Sequence, residues 1–209
     1  MSVCAVVAAS DFNADHFKSL DDQGFFDEVY AVDGGWAHLV SLGRKADMAL
    51  GDFDSLGYVP DCARVSKHPV MKDQSDLELA LERVKTRRYS EVFVYGALGG
   101  RLDHTLANLQ LFARFAEEGM DVVAIDLGSA LRVLVGPDAF DLPNLPSGTV
   151  SVFSASDEAH GVIERGLRYA FNDETLTNRT SRGLSNELTG KPAMVGLEKG
   201  SIFVFYPLG

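Results

Sequence analysis

The chain has 209 residues, 46% of them hydrophobic and 23% charged, and 30 acidic against 19 basic side chains give a formal net charge of −11. That length buries a sizeable core in one large or two small domains, and the acidity argues against non-specific binding to nucleic acid or anionic membranes. No stretch reaches a bilayer-spanning length and no basic leader precedes the apolar start, while Cys4 and Cys62 lack metal-type spacing, so the chain reads as cytoplasmic with free thiols.

Residues 3–8 are a continuous apolar run rich in β-branched side chains, the pattern of a strand covered on both faces. A polar break at 10–13 and a short helix over 14–20 follow. Residues 28–32 form a second buried strand that ends at Asp33-Gly34-Gly35, and a helix is expected over 36–42. A strand that runs into glycines and then a helix leaves backbone N–H groups free for an anion, although a tight turn alone explains the same residues.

The third strand, 48–50, stops at Gly51 and leads into Asp52-Phe53-Asp54-Ser55. In an extended segment, residues two apart point the same way, so Asp52 and Asp54 are expected to face one point. Two like charges about 4 Å apart repel by about 4 kcal/mol at an effective dielectric near 20, and a divalent cation reverses that sign. Mg²⁺ takes one or two carboxylates together with phosphate oxygens, which suits this pair; the alternative is a solvated turn.

Beyond Pro60 and Pro69 comes Lys72-Asp73-Gln74-Ser75-Asp76, then a helix to about 87 with Leu77, Ala80, Leu81 and Val84 as its apolar stripe. Ser75 or Asp73 is a plausible N-cap. Asp76 is either a first-turn acid that favours the helix dipole or a third metal ligand. Lys72 reads either as a solvated charge or as a nucleotide contact. A fourth apolar strand, 91–95, opens into Gly99-Gly100-Arg101-Leu102-Asp103-His104 and a helix over 105–118, and a fifth strand follows at 122–125. Glycines let backbone amides approach a phosphate and Arg101 supplies a bidentate fork. The spacing matches neither the P-loop nor the dinucleotide fingerprint.

Alternating strands and helices predict an α/β domain over residues 1–127 with a mostly parallel, doubly wound sheet. Ligands of such sheets bind beyond the strand carboxyl ends, where Asp33, Asp52, Asp76 and the 99–104 loop all fall. Short apolar runs at 131–135, 149–154, 161–164, 167–171, 193–197 and 201–206 predict an all-β sandwich over 128–209. Its polar stretch 181–187 is either a hairpin loop or a ring of hydrogen-bonding groups for a heterocycle.

Five segments in order, VDGG at 32–35, GDFDS at 51–55, KDQSDLELAL at 72–81, GALGGRLDHTLAN at 96–108 and SRGLSNE at 181–187, resemble the thiamine pyrophosphokinase family. That resemblance spans both expected domains. It implies a homodimeric enzyme that uses Mg²⁺ to move the pyrophosphoryl group of ATP onto the hydroxyethyl group of thiamine. It further implies that Asp52, Asp54 and Asp76 hold the metal, and that Arg101, Asp103, Gly99 and Gly100 face the triphosphate. Asp33 and Gly34 would line the same cleft. Ser185 and Asn186 would contact thiamine in a pocket built across the subunit interface, under an aromatic side chain from the second domain. Trp36 and Ala37 depart from the family pattern, which often carries Asn there. The competing readings are a haloacid-dehalogenase-type phosphatase, whose aspartyl motif 50–55 resembles, and a non-catalytic thiamine or nucleotide binder.

Overall fold

The computed structural model describes residues 2–54, 56–68 and 73–209. Lys72, one of the expected nucleotide contacts, lies outside the described residues, as does Ser55 of the aspartate motif. The chain divides into two compact units, the first comprising residues 1–111 and 120–127 and the second Phe112–Gly119 and Gly128–Gly209.

Up to residue 127, strands and helices alternate as β1 (Val3–Val7), α1 (Ala14–Asp21), β2 (Glu28–Val32), α2 (Gly35–Ser41), β3 (Met48–Gly51), β4 (Val65–Lys67), α3 (Asp76–Arg87), β5 (Glu91–Tyr95), α4 (Leu102–Glu117) and β6 (Asp121–Ile125), all in the first unit except the end of α4 from Phe112. The strands pair in the order β6-β5-β1-β2-β3-β4, every pair parallel. β1 is buried along its whole length, as its unbroken apolar sequence requires of a strand deep in a parallel sheet.

Local signals set the helix starts. Asn13 caps α1 by accepting from His16 N–H at 3.0 Å, and its own amide donates to the Leu127 carbonyl at 2.8 Å. Ser75 caps α3 by accepting from Glu78 N–H at 3.2 Å, and Leu77, Ala80, Leu81 and Val84 are its buried residues, the stripe that the spacing predicts. α4 starts three residues earlier than the expected 105, at Leu102. β4, Val-Ser-Lys, was not expected. It is largely exposed on the sheet edge, where a short polar strand leaves little apolar signal.

The second unit carries β7 (Ser129–Val135), β8 (Asp138–Asp141), β9 (Thr149–Ser154), β10 (Glu158–Arg165), β11 (Phe171–Thr177), β12 (Asn186–Glu187), β13 (Met194–Leu197) and β14 (Ser201–Pro207). These run β12-β9-β14-β7 in one set and β11-β10-β13-β8 in the other, antiparallel in every pair. The strand expected at 167–171 instead begins at Phe171 and runs to Thr177, while Leu167 makes a lone bridge to Leu188. The polar sequence Phe-Asn-Asp-Glu-Thr-Leu-Thr hides β11 from a search for apolar runs.

Candidate active site

Four parallel strands of the first unit end around one cavity of about 540 Å³. Ala8, Ala9 and Ser10 enter it after β1, Asp33 after β2, Asp52 after β3, and Gly96 and Ala97 after β5; Asp76 comes from the first turn of α3. The volume lies within the range that small-molecule and cofactor sites occupy.

Asp33, Asp52 and Asp76 each bring a carboxylate oxygen within 4.8 Å of the other two, and all three are half-buried. The β2–β3 register explains the meeting of the first two. Val32 stands opposite Leu50, so Asp33 lies beside Gly51. A Cβ on Gly51 would sit 1.8 Å from Asp33 Oδ1, so the carboxylate occupies the space that a side chain would need. Gly51 has φ +144°, and Asp33 itself turns with φ +45°, its N–H donating to the Leu50 carbonyl at 3.0 Å. Its Oδ1 accepts from the Phe53 N–H at 3.4 Å.

Asp54 does not join this cluster, contrary to the expectation that it faces the same point as Asp52. The alternation of an extended segment fails because Phe53 adopts a left-handed φ of +61°. Asp54 is exposed, and its N–H donates to Asp52 Oδ1 at 3.1 Å, closing a local turn over the aspartate. The third carboxylate therefore arrives from the neighbouring strand rather than from two residues along the same one.

Burial and crowding raise the Asp33 carboxyl. Burial, then the Asp76 carboxylate and a hydrogen bond with it, push Asp33 up to about 7. Three oxygens this close suit a hard cation, which takes oxygen ligands and offsets their mutual repulsion.

At the mouth of α4, Gly99 and Gly100 both line the cavity with left-handed φ of +77° and +62°. A Cβ on Gly99 would fall 2.2 Å from Asp11 Oδ2, so a side chain there would be strained at φ +77° and would displace that carboxylate. Thr105 Oγ1 donates to the Gly99 carbonyl at 3.2 Å, and the buried Asn108 donates to the Ala97 carbonyl at 2.7 Å, tying the loop to the helix. Arg101 lines the cavity and is exposed. Its guanidinium holds Asp103 through Nε at 3.2 Å and Nη2 at 2.7 Å. That fork holds the Asp103 carboxyl down at about 2. Gly34 caps the start of α2, and neither it nor Asp103 is among the cavity's lining residues.

Ser10, Gln74 and Asn108 line the cavity without having been named as site residues, and His104 lines it as part of the expected 99–104 loop. Ser10 had a signal, since it follows a strand end just as the aspartates do. Asn108, in the second turn of α4, closes the 96–108 motif, so its signal lay in that motif and not in the period of the helix.

Ser185 and Asn186 lie in the second unit. Ser185 is exposed with φ +60°, and its N–H donates to Ser151 Oγ at 3.0 Å. Asn186 is buried and its amide is committed internally. Nδ2 donates to Glu164 Oε2 at 2.6 Å and to the Tyr169 carbonyl at 2.5 Å, while Oδ1 accepts from the Tyr169 and Glu187 N–H groups at 3.0 and 2.9 Å. A direct contact from this side chain to a substrate would break one of those bonds.

Residues 26–124 match the family model described as thiamin pyrophosphokinase, catalytic domain. The chain is 27% identical over 195 residues to a thiamine pyrophosphokinase of Bacillus subtilis, covering 88% of this chain and 90% of that one. A crystal structure of thiamine pyrophosphokinase from Bacillus subtilis superposes with TM-score 0.81 at 24% identity, covering 99% of both chains. The thiamin pyrophosphokinase of Candida albicans superposes with TM-score 0.78 at 15% identity, covering all of this chain and 89% of that one. The matched segment carries the three converging aspartates and the glycine-rich mouth of α4, and by these likenesses the chain is similar in sequence and fold to thiamin pyrophosphokinases.

Proposed function

We propose that this protein transfers the pyrophosphoryl group of ATP to the hydroxyethyl group of thiamine, giving thiamine diphosphate and AMP. The observation that carries this reading is the convergence of Asp33, Asp52 and Asp76 on one cavity rimmed by Gly99, Gly100 and Arg101. The match of residues 26–124 to the catalytic-domain model and the likeness to the named relatives support it.

In this reading the three aspartates hold Mg²⁺, with Asp33 taking the place that the motif spacing gives to Asp54. Bound there, the ion would neutralise charge developing on the phosphate oxygens. The chain supplies the rest. Amides of the Gly99–Gly100 loop and the positive end of α4 cradle the triphosphate. Arg101, its fork held by Asp103, brings its positive charge and remaining N–H groups to the rim for phosphate. A carboxyl held at about 2 and bound to Arg101 is a poor proton acceptor at neutral pH, so the part left to Asp103 is to hold Arg101 rather than to deprotonate the hydroxyl. Loose phosphoryl-transfer transition states need little help from a base in any case. The acidic surroundings favour the cationic thiazolium ring.

The finer features belong to the same proposal: a doubly wound parallel sheet in residues 1–127, a β-sandwich in 128–209, a homodimer with the site at its interface, and a cytoplasmic location. No helix among the described residues is long and apolar enough to cross a membrane. In the second unit, Ser185 and the exposed ring of Tyr169 are the candidates for the acceptor surface.

The phosphatase alternative needs Asp52 as a nucleophile on a first strand, whereas here it follows the third. Incubating the purified protein with ATP, Mg²⁺ and thiamine, and identifying products by mass, tests the reading. Thiamine diphosphate and AMP in equal amounts are expected. Release of free phosphate, a phosphoryl label on Asp52, or binding without turnover would overturn it.

A further inference from the structure

Glu164 is the one fully buried acid in the core of the second unit among the described residues, and neither metal nor phosphate chemistry calls for it there. It stands on β10 between Phe171 of β11 and Val195 of β13, both apolar, and it forms no ion pair among the described residues. Its Oε2 accepts from Asn186 Nδ2 at 2.6 Å, and its Oε1 has no hydrogen-bond partner among the described residues. A buried carboxyl with one bond and no counter-charge is expensive, and burial pushes Glu164 up to about 7 against the opposing pull of Asn186. A core position that needed only volume would be better served by an apolar side chain.

The return on that cost lies at the surface. Asn186 grips both backbone polar groups of Tyr169, whose ring is 60% exposed, and it also accepts from Glu187 N–H. Ser185, next in sequence, is held left-handed with its N–H on Ser151. One buried amide thus fixes the backbone beneath an exposed aromatic ring and an exposed hydroxyl. The orientation of that amide depends on which groups its Nδ2 meets.

We propose that Glu164 is a positioning residue for the acceptor: through Asn186 it holds Tyr169 and Ser185 in the arrangement that binds a flat, cationic heterocycle. The inference rests on the reading that thiamine is the acceptor. It adds a residue that touches no substrate and that the motif pattern does not contain.

The test compares wild type with Glu164→Met, which keeps side-chain length and loses the acceptor, and with Glu164→Gln, which restores one. Three quantities are read on the full-length protein: the thiamine Kd by calorimetry, KM for thiamine and for ATP with kcat, and amide exchange at Tyr169 and Glu187. In the Met variant, the thiamine Kd and KM should rise at least tenfold while KM for ATP and kcat stay within about twofold. Exchange at those two amides should quicken, and Gln should return all of these towards wild type. An unchanged thiamine Kd in a Met variant with quickened exchange would reduce Glu164 to a structural role and overturn the inference. Unchanged exchange would overturn it as well. Should the Met variant lose its cooperative melting transition, Glu164→Val, which suits a strand, carries the same comparison. A wild type that binds thiamine without turnover fails the activity reading alone and leaves the Kd comparison valid; one that binds no thiamine overturns both.

Discussion

Gly51→Ala tests whether the cluster depends on the space between β2 and β3. The substitution introduces two separable costs. A side chain at φ +144° is strained by about 1–3 kcal/mol wherever it occurs. The new Cβ also lands 1.8 Å from Asp33 Oδ1, so the carboxylate must retreat by about 1.6 Å to reach ordinary contact at 3.4 Å. Misplacing a reacting or ligating group by about 1 Å costs on the order of 100-fold in rate. Gly43→Ala separates the two effects, because Gly43 has φ +69° but nothing within 4 Å of its would-be Cβ. It carries only the left-handed strain of about 1–2 kcal/mol. Urea unfolding and initial rates at saturating ATP, Mg²⁺ and thiamine should therefore diverge. Both variants lose stability by similar amounts, yet Gly43→Ala keeps its turnover and Gly51→Ala loses about 100-fold. A Gly51→Ala enzyme within threefold of wild type would refute the claim that the position of Asp33 matters.

The neighbouring aspartates separate geometry from motif. Asp76→Asn should lower turnover by at least 100-fold and weaken Mg²⁺ dependence, whereas Asp54→Asn, outside the cluster, should cost less than tenfold; equal losses would restore Asp54 to the metal site. Arg101→Ala should raise KM for ATP at least tenfold with an unchanged melting temperature, because its side chain is exposed and pairs only with Asp103 among the described residues. Glu164 makes a pH prediction. Its folded value of about 7 exceeds the ordinary 4.5, so the native state holds a proton that the unfolded chain releases across that window. Its contribution to stability is then complete below pH 4.5 and is lost as pH rises to 7, by about 3 kcal/mol in all. Glu164→Gln should flatten that segment of the curve, so urea titrations of the two proteins from pH 4.5 to 8 should diverge steadily; parallel curves would show that the acid is ionised in the core.

What the sequence made legible follows the burial of each element. Strands covered on both faces, such as Val-Cys-Ala-Val-Val and Glu-Val-Tyr-Ala-Val, write an unbroken apolar run, and the Leu77–Val84 stripe writes a helical period. The strands that escaped notice, β4, β8, β11 and β12, all stand at sheet edges. There one side of the backbone lacks a strand partner and the side chains are largely polar. Edge strands are kept short and polar because an apolar edge would recruit other chains, so what protects them from aggregation also removes their signature.

The site divides along the same line between local and non-local information. Each aspartate was visible as a polar residue beyond a strand end, because parallel sheets gather ligands there. Their grouping was not visible, since period-two alternation holds only while φ stays extended. One left-handed residue, Phe53, sends Asp54 to solvent and leaves a vacancy in the pattern that Asp33 fills through the Val32–Leu50 register. That register pairs residues 18 positions apart, which no spacing rule within a motif can express. A visible trace of it remains at Gly51, where a side chain would collide with Asp33. The glycine between an apolar strand and an acidic pair thus marks where a neighbouring strand delivers a carboxylate, and Gly51→Ala is the substitution that reads it.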